Sequence, residues 1–268
     1  MDLQLKGRRA LVTGSSSGIG EGIAHTLSEE GCSVVIHGRN RDRAERVASG
    51  IGAAGVALGD LSTDEGAASV HEQAVAALGG PIEILINNAG GSSSDSTTRP
   101  PLDVTIAEWV SNYHGNTLSS VRLALLAAPP MVSAGWGRVI QISSAVSLQP
   151  NGLGPDYSAA KAALNNFTVS LAGSLRNTGV TVNTITPGVI IMDSLLQWAR
   201  AQYGEPTMSV EAITRRMTDD GIFELPPAGR LGTPEDIALA VATLASPRAG
   251  FITGSNYRVD GGQVRAVL

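Results

Sequence analysis

Seven short apolar runs, rich in Val and Ile, recur along the chain: Arg9–Thr13, Ser33–His37, Gly55–Leu58, Ile82–Asn87, Gly137–Ser143, Thr181–Thr186 and Asn256–Val259. Hydrophobic and polar positions barely alternate within them, which is the pattern of strands covered on both faces. Helical periodicity fills the intervals. Ser62-Thr63-Asp64-Glu65 reads as a capping box before a helix over Ala67–Leu78. Thr233-Pro234-Glu235-Asp236 offers an N-cap, a proline at the first helical position and early acids before Ile237–Ala245. Tyr157 to Leu175 carries Ala160, Leu164, Phe167 and Leu171 on one stripe. This alternation predicts an α/β fold: one doubly wound domain over residues 1–268, with a mostly parallel seven-stranded sheet flanked by helices.

Two segments stand apart. Gly91–Pro101 is a polar loop of Gly, Ser, Thr and Pro. Residues 192–230 follow a Pro187-Gly188 turn, have mixed helical character and are broken by Pro206, Pro226 and Pro227. They are expected to form a mobile lid at the carboxyl edge of the sheet, where ligands of open α/β folds bind. Leu195, Trp198, Met208, Met217 and Phe223 would give it an apolar inner face, hence a largely hydrophobic or ring-containing substrate.

Composition narrows the function. A net charge of −5 over 268 residues argues against a nucleic-acid partner. The single cysteine, Cys32, cannot form an internal disulfide and reads as a small core residue. No run approaches the ~18 uninterrupted apolar residues of a membrane span, and no apolar signal core follows Met1 to Arg9, so a cytoplasmic location is expected. His25, His37, His71 and His114 are scattered, with no Cys or acid at ligand spacing, and no metal is expected.

Leu11-Val12-Thr13-Gly14-Ser15-Ser16-Ser17-Gly18-Ile19-Gly20 joins the first strand to the first helix. Its three glycines can serve a tight turn, close approach of backbone to a pyrophosphate, and helix–strand packing, while the helix N-terminus offers free N–H groups to an anion. Their spacing differs from G-x-G-x-x-G, but the position after the first strand points to a dinucleotide and a Rossmann-like fold.

With Asn87-Asn88-Ala89-Gly90 and Tyr157-Ser158-Ala159-Ala160-Lys161 added, the chain resembles the short-chain dehydrogenase/reductases over essentially Leu5 to Gly262. Pro187-Gly188, Gly229-Arg230-Leu231-Gly232-Thr233-Pro234-Glu235-Asp236, Gly250-Phe251-Ile252-Thr253-Gly254 and Val259-Asp260-Gly261-Gly262 follow in that family's order. The nearest flavour is that of 3-oxoacyl-carrier-protein reductases and similar small-molecule carbonyl reductases. The resemblance implies an oxidoreductase moving a hydride between a nicotinamide cofactor and a ketone or secondary alcohol. It places Tyr157 as general acid/base, Lys161 as the group that lowers its pKa and holds the ribose, Ser144 on the substrate oxygen, and Asn116 in support of a proton relay. Dinucleotide contacts are implied at Gly14, Ser15, Ser16, Ser17, Gly18, Ile19, Gly20, Arg39, Asp60, Leu61, Asn88, Ala89, Gly90, Tyr157, Lys161, Pro187, Gly188 and Ile190. The chemistry agrees: Tyr157 and Lys161 are four apart and share a helix face. Bringing a phenol of pKa about 10 near neutrality takes roughly 4 kcal/mol, about what an ammonium ~4 Å away supplies at an effective dielectric near 20.

The family's threonine four residues after the Pro-Gly glycine is Met192 here, which leaves that end of the pocket undefined. The cofactor is expected to be NADP(H) rather than NAD(H): at the end of the second strand Gly38 stands where an NAD-selecting acid would be, and Arg39 follows it. Ser17 replaces a basic residue that many phosphate-selective members carry, which weakens this preference without reversing it. Arg41 and Arg43 are expected on the solvated face of the next helix. Two alternatives stand beside this reading: a catalytically inactive dinucleotide-binding sensor or scaffold, and an NAD-dependent polyol, sugar or steroid dehydrogenase. The family is usually tetrameric, so a homo-oligomer is expected.

Overall fold

The computed structural model describes residues 1–91, 99–150, 152 and 154–266; most of the polar loop expected at Gly91–Pro101 lies outside them. Seven strands, β1 (Arg9–Val12), β2 (Ser33–Gly38), β3 (Gly55–Leu58), β4 (Ile84–Asn87), β5 (Gly137–Ile142), β6 (Val180–Pro187) and β7 (Asn256–Val259), form one sheet in the order β3-β2-β1-β4-β5-β6-β7. Every neighbouring pair is parallel. All seven fall where the apolar runs predict, with ends shifted by two residues at most.

Both faces of the sheet are covered, which is why the strands read as continuous apolar runs. On one face α1 (Gly18–Glu29), α2 (Arg41–Ile51) and α9 (Pro234–Ala245) contribute Ile23, Leu27, Val47, Ile237 and Val241 to a core with Val12, Ile36, Ile86 and Ile140. On the other, α3 (Asp64–Leu78), α5 (Ser119–Ala134) and α6 (Pro155–Ser174) bury Val70, Leu123, Ala127 and Leu171 against Leu11, Leu85, Val139 and Val182. Cys32 is buried in the first core, and burial pushes its thiol up to about 12, which removes it from thiolate chemistry.

The start of α9 is as expected: the Asp236 carboxylate accepts the Thr233 N–H at 2.8 Å, ahead of Pro234. The start of α3 is shifted by one. Thr63, not Ser62, is the N-cap, its hydroxyl accepting the Gly66 N–H, because the Ser62 N–H is already taken by Asp60 Oδ1. Between α4 (Ile106–Tyr113) and α5 a π-helical turn, His114–Leu118, runs through Asn116. The helical run Ile106–Ala134 is long and apolar enough to cross a membrane by length and composition, and 44% of its most apolar 18-residue window is buried inside the protein.

Residues 192–230 contain α7 (Asp193–Tyr203) and α8 (Val210–Asp219), separated where Pro206 interrupts. The apolar inner face expected of this segment is not what its apolar residues build. Met208 and Met217 are buried with Ala199 and Ile213, and Leu195, Leu196, Tyr203 and Phe223 pack on them, in a small core of the segment's own. Trp198 is 48% exposed. Two amphipathic helices without a neighbouring sheet face satisfy their apolar stripes against each other.

Two helical glycines give opposite expectations. A Cβ on Gly22 of α1 would lie 2.6 Å from Pro234 Cβ at the crossing with α9, whereas Gly50 of α2 has nothing within 4 Å of such an atom. Gly22→Ala should therefore cost about 1–3 kcal/mol through overpacking. Gly50→Ala should stabilise by about 0.5–1 kcal/mol through backbone entropy. Urea unfolding of both variants checks the pair, and loss of stability in the second would contradict the reasoning.

Candidate active site

The connections after β1 and β4 diverge to opposite faces, and the crevice they leave at the carboxyl edge is where an open α/β sheet binds its ligand. Two adjoining clefts open there, of about 510 Å³ and 620 Å³, sharing Gly14, Ser17, Arg43, Asn88, Gly90 and Gly91.

The loop after β1 is fixed from three sides. Thr13 Oγ1 accepts the N–H groups of Asn88 and Ala89, each at 2.9 Å, and donates to the Ile86 carbonyl. Asn88 Nδ2 donates back to the carbonyls of Thr13 and Gly14. From β2, His37 Nδ1 accepts the Gly14 N–H at 2.9 Å, and Nε2 faces the Gly59 carbonyl at 3.3 Å. Burial pushes His37 down to about 4, so near neutrality the ring is uncharged, as an Nδ1 acceptor must be. Gly14 (φ 63°) is held so close to β4 that a Cβ would lie 2.9 Å from the Ala89 Cα.

Not every loop residue faces the clefts. Ser16, Ser17, Gly18 and Ile19 line them. Ser15 is fully buried, its hydroxyl donating to the Val12 carbonyl and accepting the His37 N–H. Gly20 serves packing: a Cβ there would meet the Gly14 carbonyl at 2.4 Å. The N-terminus of α1 has no side-chain cap, unlike those of α2, α3, α4 and α8. Its first N–H groups, at Gly18 and Ile19, therefore stand toward the cleft, a donor set that fits a pyrophosphate.

Beyond the loop, His37, Gly38, Arg39, Asn40, Arg43, Asp60, Leu61 and Ala89 line the larger cleft. Arg39 is exposed and makes no ion pair among the described residues. Arg43, expected on a solvated helix face, borders both clefts, because the turn at Asn40 starts α2 immediately beside the strand end. A Cβ on Gly38 would sit 2.8 Å from Ser16 Oγ. Three expected contacts are not brought to these clefts. Pro187 is buried in β6. Gly188 and Ile190 line a separate cavity of about 480 Å³ on the α9 side, Ile190 being drawn there by its bridge to Gly232 and its place in the core. The smaller cleft is closed on that side by Met192, Asp193, Ser194 and Gln197 of the lid segment.

Tyr157 and Lys161 line the smaller cleft together. Lys161 is 3% exposed and its Nζ donates to the Ile142 carbonyl at 2.9 Å. Burial pushes this ammonium down to about 8. Burial likewise pushes the Tyr157 phenol up from its ordinary value, and a hydrogen bond with the Ser144 side chain opposes that. The lowering expected from Lys161 is not in place here: Nζ stands 5.8 Å from the centre of the Tyr157 ring, at its face. Ser144 and its neighbour divide the contacts: Ser144 hydrogen-bonds the Tyr157 side chain, whereas Ser143 borders the smaller cleft with its own hydroxyl directed to Ser147 Oγ and the Lys161 carbonyl. Asn116, in the π-helical turn, accepts the Gly91 N–H on Oδ1 at 2.8 Å and donates from Nδ2 to the Gly91 carbonyl. A Cβ on Gly90 would lie 2.5 Å from Asn116 Oδ1 and 3.3 Å from Lys161 Nζ, so glycine lets both groups reach the loop. Tyr157 and Lys161 thus share a cleft with Gly18 and Ile19 at the head of α1, with Ser144 bonded to Tyr157 and Asn116 held against Gly91.

Comparison with known proteins agrees with this arrangement. The short chain dehydrogenase family matches residues 8–202. The 3-oxoacyl-(acyl-carrier-protein) reductase FabG of Escherichia coli is 35% identical over 263 residues, 97% of this chain and 98% of that protein. Among solved structures, the L-sorbose reductase of Gluconobacter frateurii complexed with NADPH and L-sorbose superposes with a TM-score of 0.89 at 30% identity, covering both chains completely. A 7α-hydroxysteroid dehydrogenase complexed with NADH and 7-oxo glycochenodeoxycholic acid superposes at 0.83 with 31% identity, over 100% of this chain and 98% of that one. Matched by the family model over residues 8–202 and by reductases along nearly their whole length, the chain belongs to the short-chain dehydrogenase family and is an NAD(P)-dependent oxidoreductase acting on CH–OH and C=O groups.

Proposed function

We propose that this enzyme reduces, reversibly, a ketone to a secondary alcohol with NADP(H), using Tyr157 as general acid/base. The observation that carries the reading is the convergence of Tyr157, Lys161, Ser144 and Asn116 beside the uncapped N-terminus of α1. When bound, the dinucleotide supplies or accepts the hydride. The protein's own part is to hold the carbonyl oxygen between the Ser144 hydroxyl and the Tyr157 phenol and to exchange a proton with it. Lys161 holds the ribose, and its charge favours the phenolate once Nζ is drawn from the Ile142 carbonyl toward the occupied cleft. Tyr157→Phe removes only the hydroxyl; turnover should fall by about 10²- to 10⁴-fold with dinucleotide affinity unchanged. Steady-state kinetics and NADPH fluorescence titration read both, and turnover near the parent's excludes Tyr157 as the acid.

The lining contributed by α7, with Asp193, Ser194 and Gln197 beside Met192, favours a hydroxylated carbonyl compound over a hydrocarbon ring, and replaces the expectation of an apolar substrate. The likeness to L-sorbose reductase supports the same class. Absorbance at 340 nm with L-sorbose, ethyl 3-oxobutanoate and a 7-oxo bile acid tests it. Turnover of none of them by a chain that binds NADPH would favour the sensor reading. Residues 192–230 act in this scheme as a lid whose helices move as one body on their own small core. Limited proteolysis within the segment should slow when NADPH and ketone are both present, and equal rates would count against a lid.

The preference for NADP(H) rests on Arg39 and Arg43 facing the larger cleft with glycine where an acid would repel a 2′-phosphate. Two or three charge-assisted contacts amount to roughly 2–4 kcal/mol, about 30- to 1000-fold in kcat/KM. Arg39→Leu should remove most of that ratio. Converting the choice to NAD(H) with Gly38→Asp requires Ser16→Gly as well, because Ser16 fills the space a side chain at 38 needs. A parent kcat/KM higher with NADH than with NADPH would show the reading of this cleft to be wrong.

A further inference from the structure

Asp156 precedes Tyr157 in α6 but does not line the reaction cleft. Its side chain is buried, 2% exposed, where α4 packs on α6. Oδ2 accepts a hydrogen bond from Asn112 Nδ2 at 2.7 Å, and Oδ1, equally buried, has no hydrogen-bond partner among the described residues. Asn112 in turn accepts Asn116 Nδ2 on both its Oδ1 and its backbone carbonyl. Asn116 then meets Gly91 through both amide atoms, Oδ1 accepting its N–H and Nδ2 donating to its carbonyl, and Oδ1 stands on the side where Gly90 and the Lys161 ammonium lie. A chain of hydrogen bonds thus runs from a buried carboxylate through two amides to the loop that borders the reaction centre.

Such a chain has a direction. A primary amide donates at one end and accepts at the other, and a carboxylate only accepts. With Asp156 at its head, Asn112 must turn its NH₂ to the carboxylate and its carbonyl to Asn116. Asn116 must then turn its NH₂ to Asn112 and its carbonyl oxygen to Gly91 and the lysine side. Reversing Asn112 would set oxygen against oxygen at one end and NH₂ against NH₂ at the other. The Gly91 N–H demands the same orientation of Asn116 from the opposite end. Asp156 is a poor stabiliser of the fold, since a buried carboxylate with one of its oxygens unpartnered recovers little of its desolvation.

We propose that Asp156 is a positioning residue for the reaction: through Asn112 it sets the orientation of the Asn116 amide, so that the carbonyl oxygen of Asn116 stands toward Gly91 and Lys161. The inference rests on the reading that Asn116 belongs to the reaction centre. Asp156→Asn keeps the volume and lets either amide orientation head the chain. In the full-length protein without ligand, hydrogen–deuterium exchange at the Gly91 amide should quicken while the melting temperature holds. With NADPH and whichever ketone of the panel turns over fastest, kcat should fall about 10- to 100-fold through misplacement while KM for NADPH stays near the parent's. The solvent isotope effect on kcat should rise as proton exchange becomes limiting. If Asp156→Asn does not fold, Asp156→Leu with Asn112→Leu removes the carboxylate and its donor together, and should show the same exchange and the same fall in kcat. Parent-like exchange and kcat in these variants, with Asn116→Ala inactive, would overturn the proposal. So would a fall in kcat matched by equal falls in melting temperature and NADPH affinity, which is what a purely structural role gives. An Asn116→Ala enzyme as active as the parent would overturn the underlying reading instead.

Discussion

A buried ammonium with one hydrogen bond among the described residues organises this end of the molecule. Lys161 lies wholly inside, with Nζ on the Ile142 carbonyl at the tip of β5. Removing a cation from water is costly unless it is partnered, and burial pushes Lys161 down toward about 8. The surroundings are arranged around the constraint. Gly90 has no side chain that would fill the space between the ammonium and Asn116. The π-helical turn moves Asn116 out of the register a continuous α-helix would give it and into reach of the loop. Ser143, one residue past the Ile142 carbonyl, anchors the lysine's own backbone carbonyl.

The same economy appears in the phosphate loop. His37, Thr13 and Asn88 engage the polar groups of Thr13, Gly14 and Ser15, while the head of α1 has no side-chain cap among the described residues. The loop is therefore rigid where it meets strands and open where it faces the cleft. This division explains why residues adjacent in sequence differ so sharply in use: Ser15 is a staple between β1 and β2, whereas Ser16 and Ser17 face the cavity.

Much of this was legible in the sequence because it depends on local pattern. Strands buried on both faces announce themselves as apolar runs, and the four site residues lie in motifs of short range. What was not legible depends on contacts between distant segments. Whether a serine in the loop points in or out is decided by His37, 22 residues away. Arg43 reads as a surface charge until the start of α2 is placed against the cleft. The bridge between Ile190 and Gly232 joins residues 42 apart and has no local signal. The helix α5 runs through Pro129 and Pro130, which rules of helix termination place at an end. The Asp156–Asn112 pair joins residues 44 apart, and no spacing in the sequence signals it.

The segment 192–230 shows how apolar spacing alone leaves the partner of a buried face unspecified. Its apolar residues are spaced to face inward, and with no partner specified, inward suggests the substrate. In the folded chain inward means toward the other lid helix: Met208, Ile213 and Met217 close on Ala199 and leave Asp193, Ser194 and Gln197 to the cleft. Separating the residues that hold the lid together from those that face the cavity has an evolutionary consequence. Polar positions along α7 can change without disturbing the apolar packing between the two helices. A segment whose cleft-facing residues differ from those that pack it can vary the one while keeping the other, since site and scaffold are built from different residues.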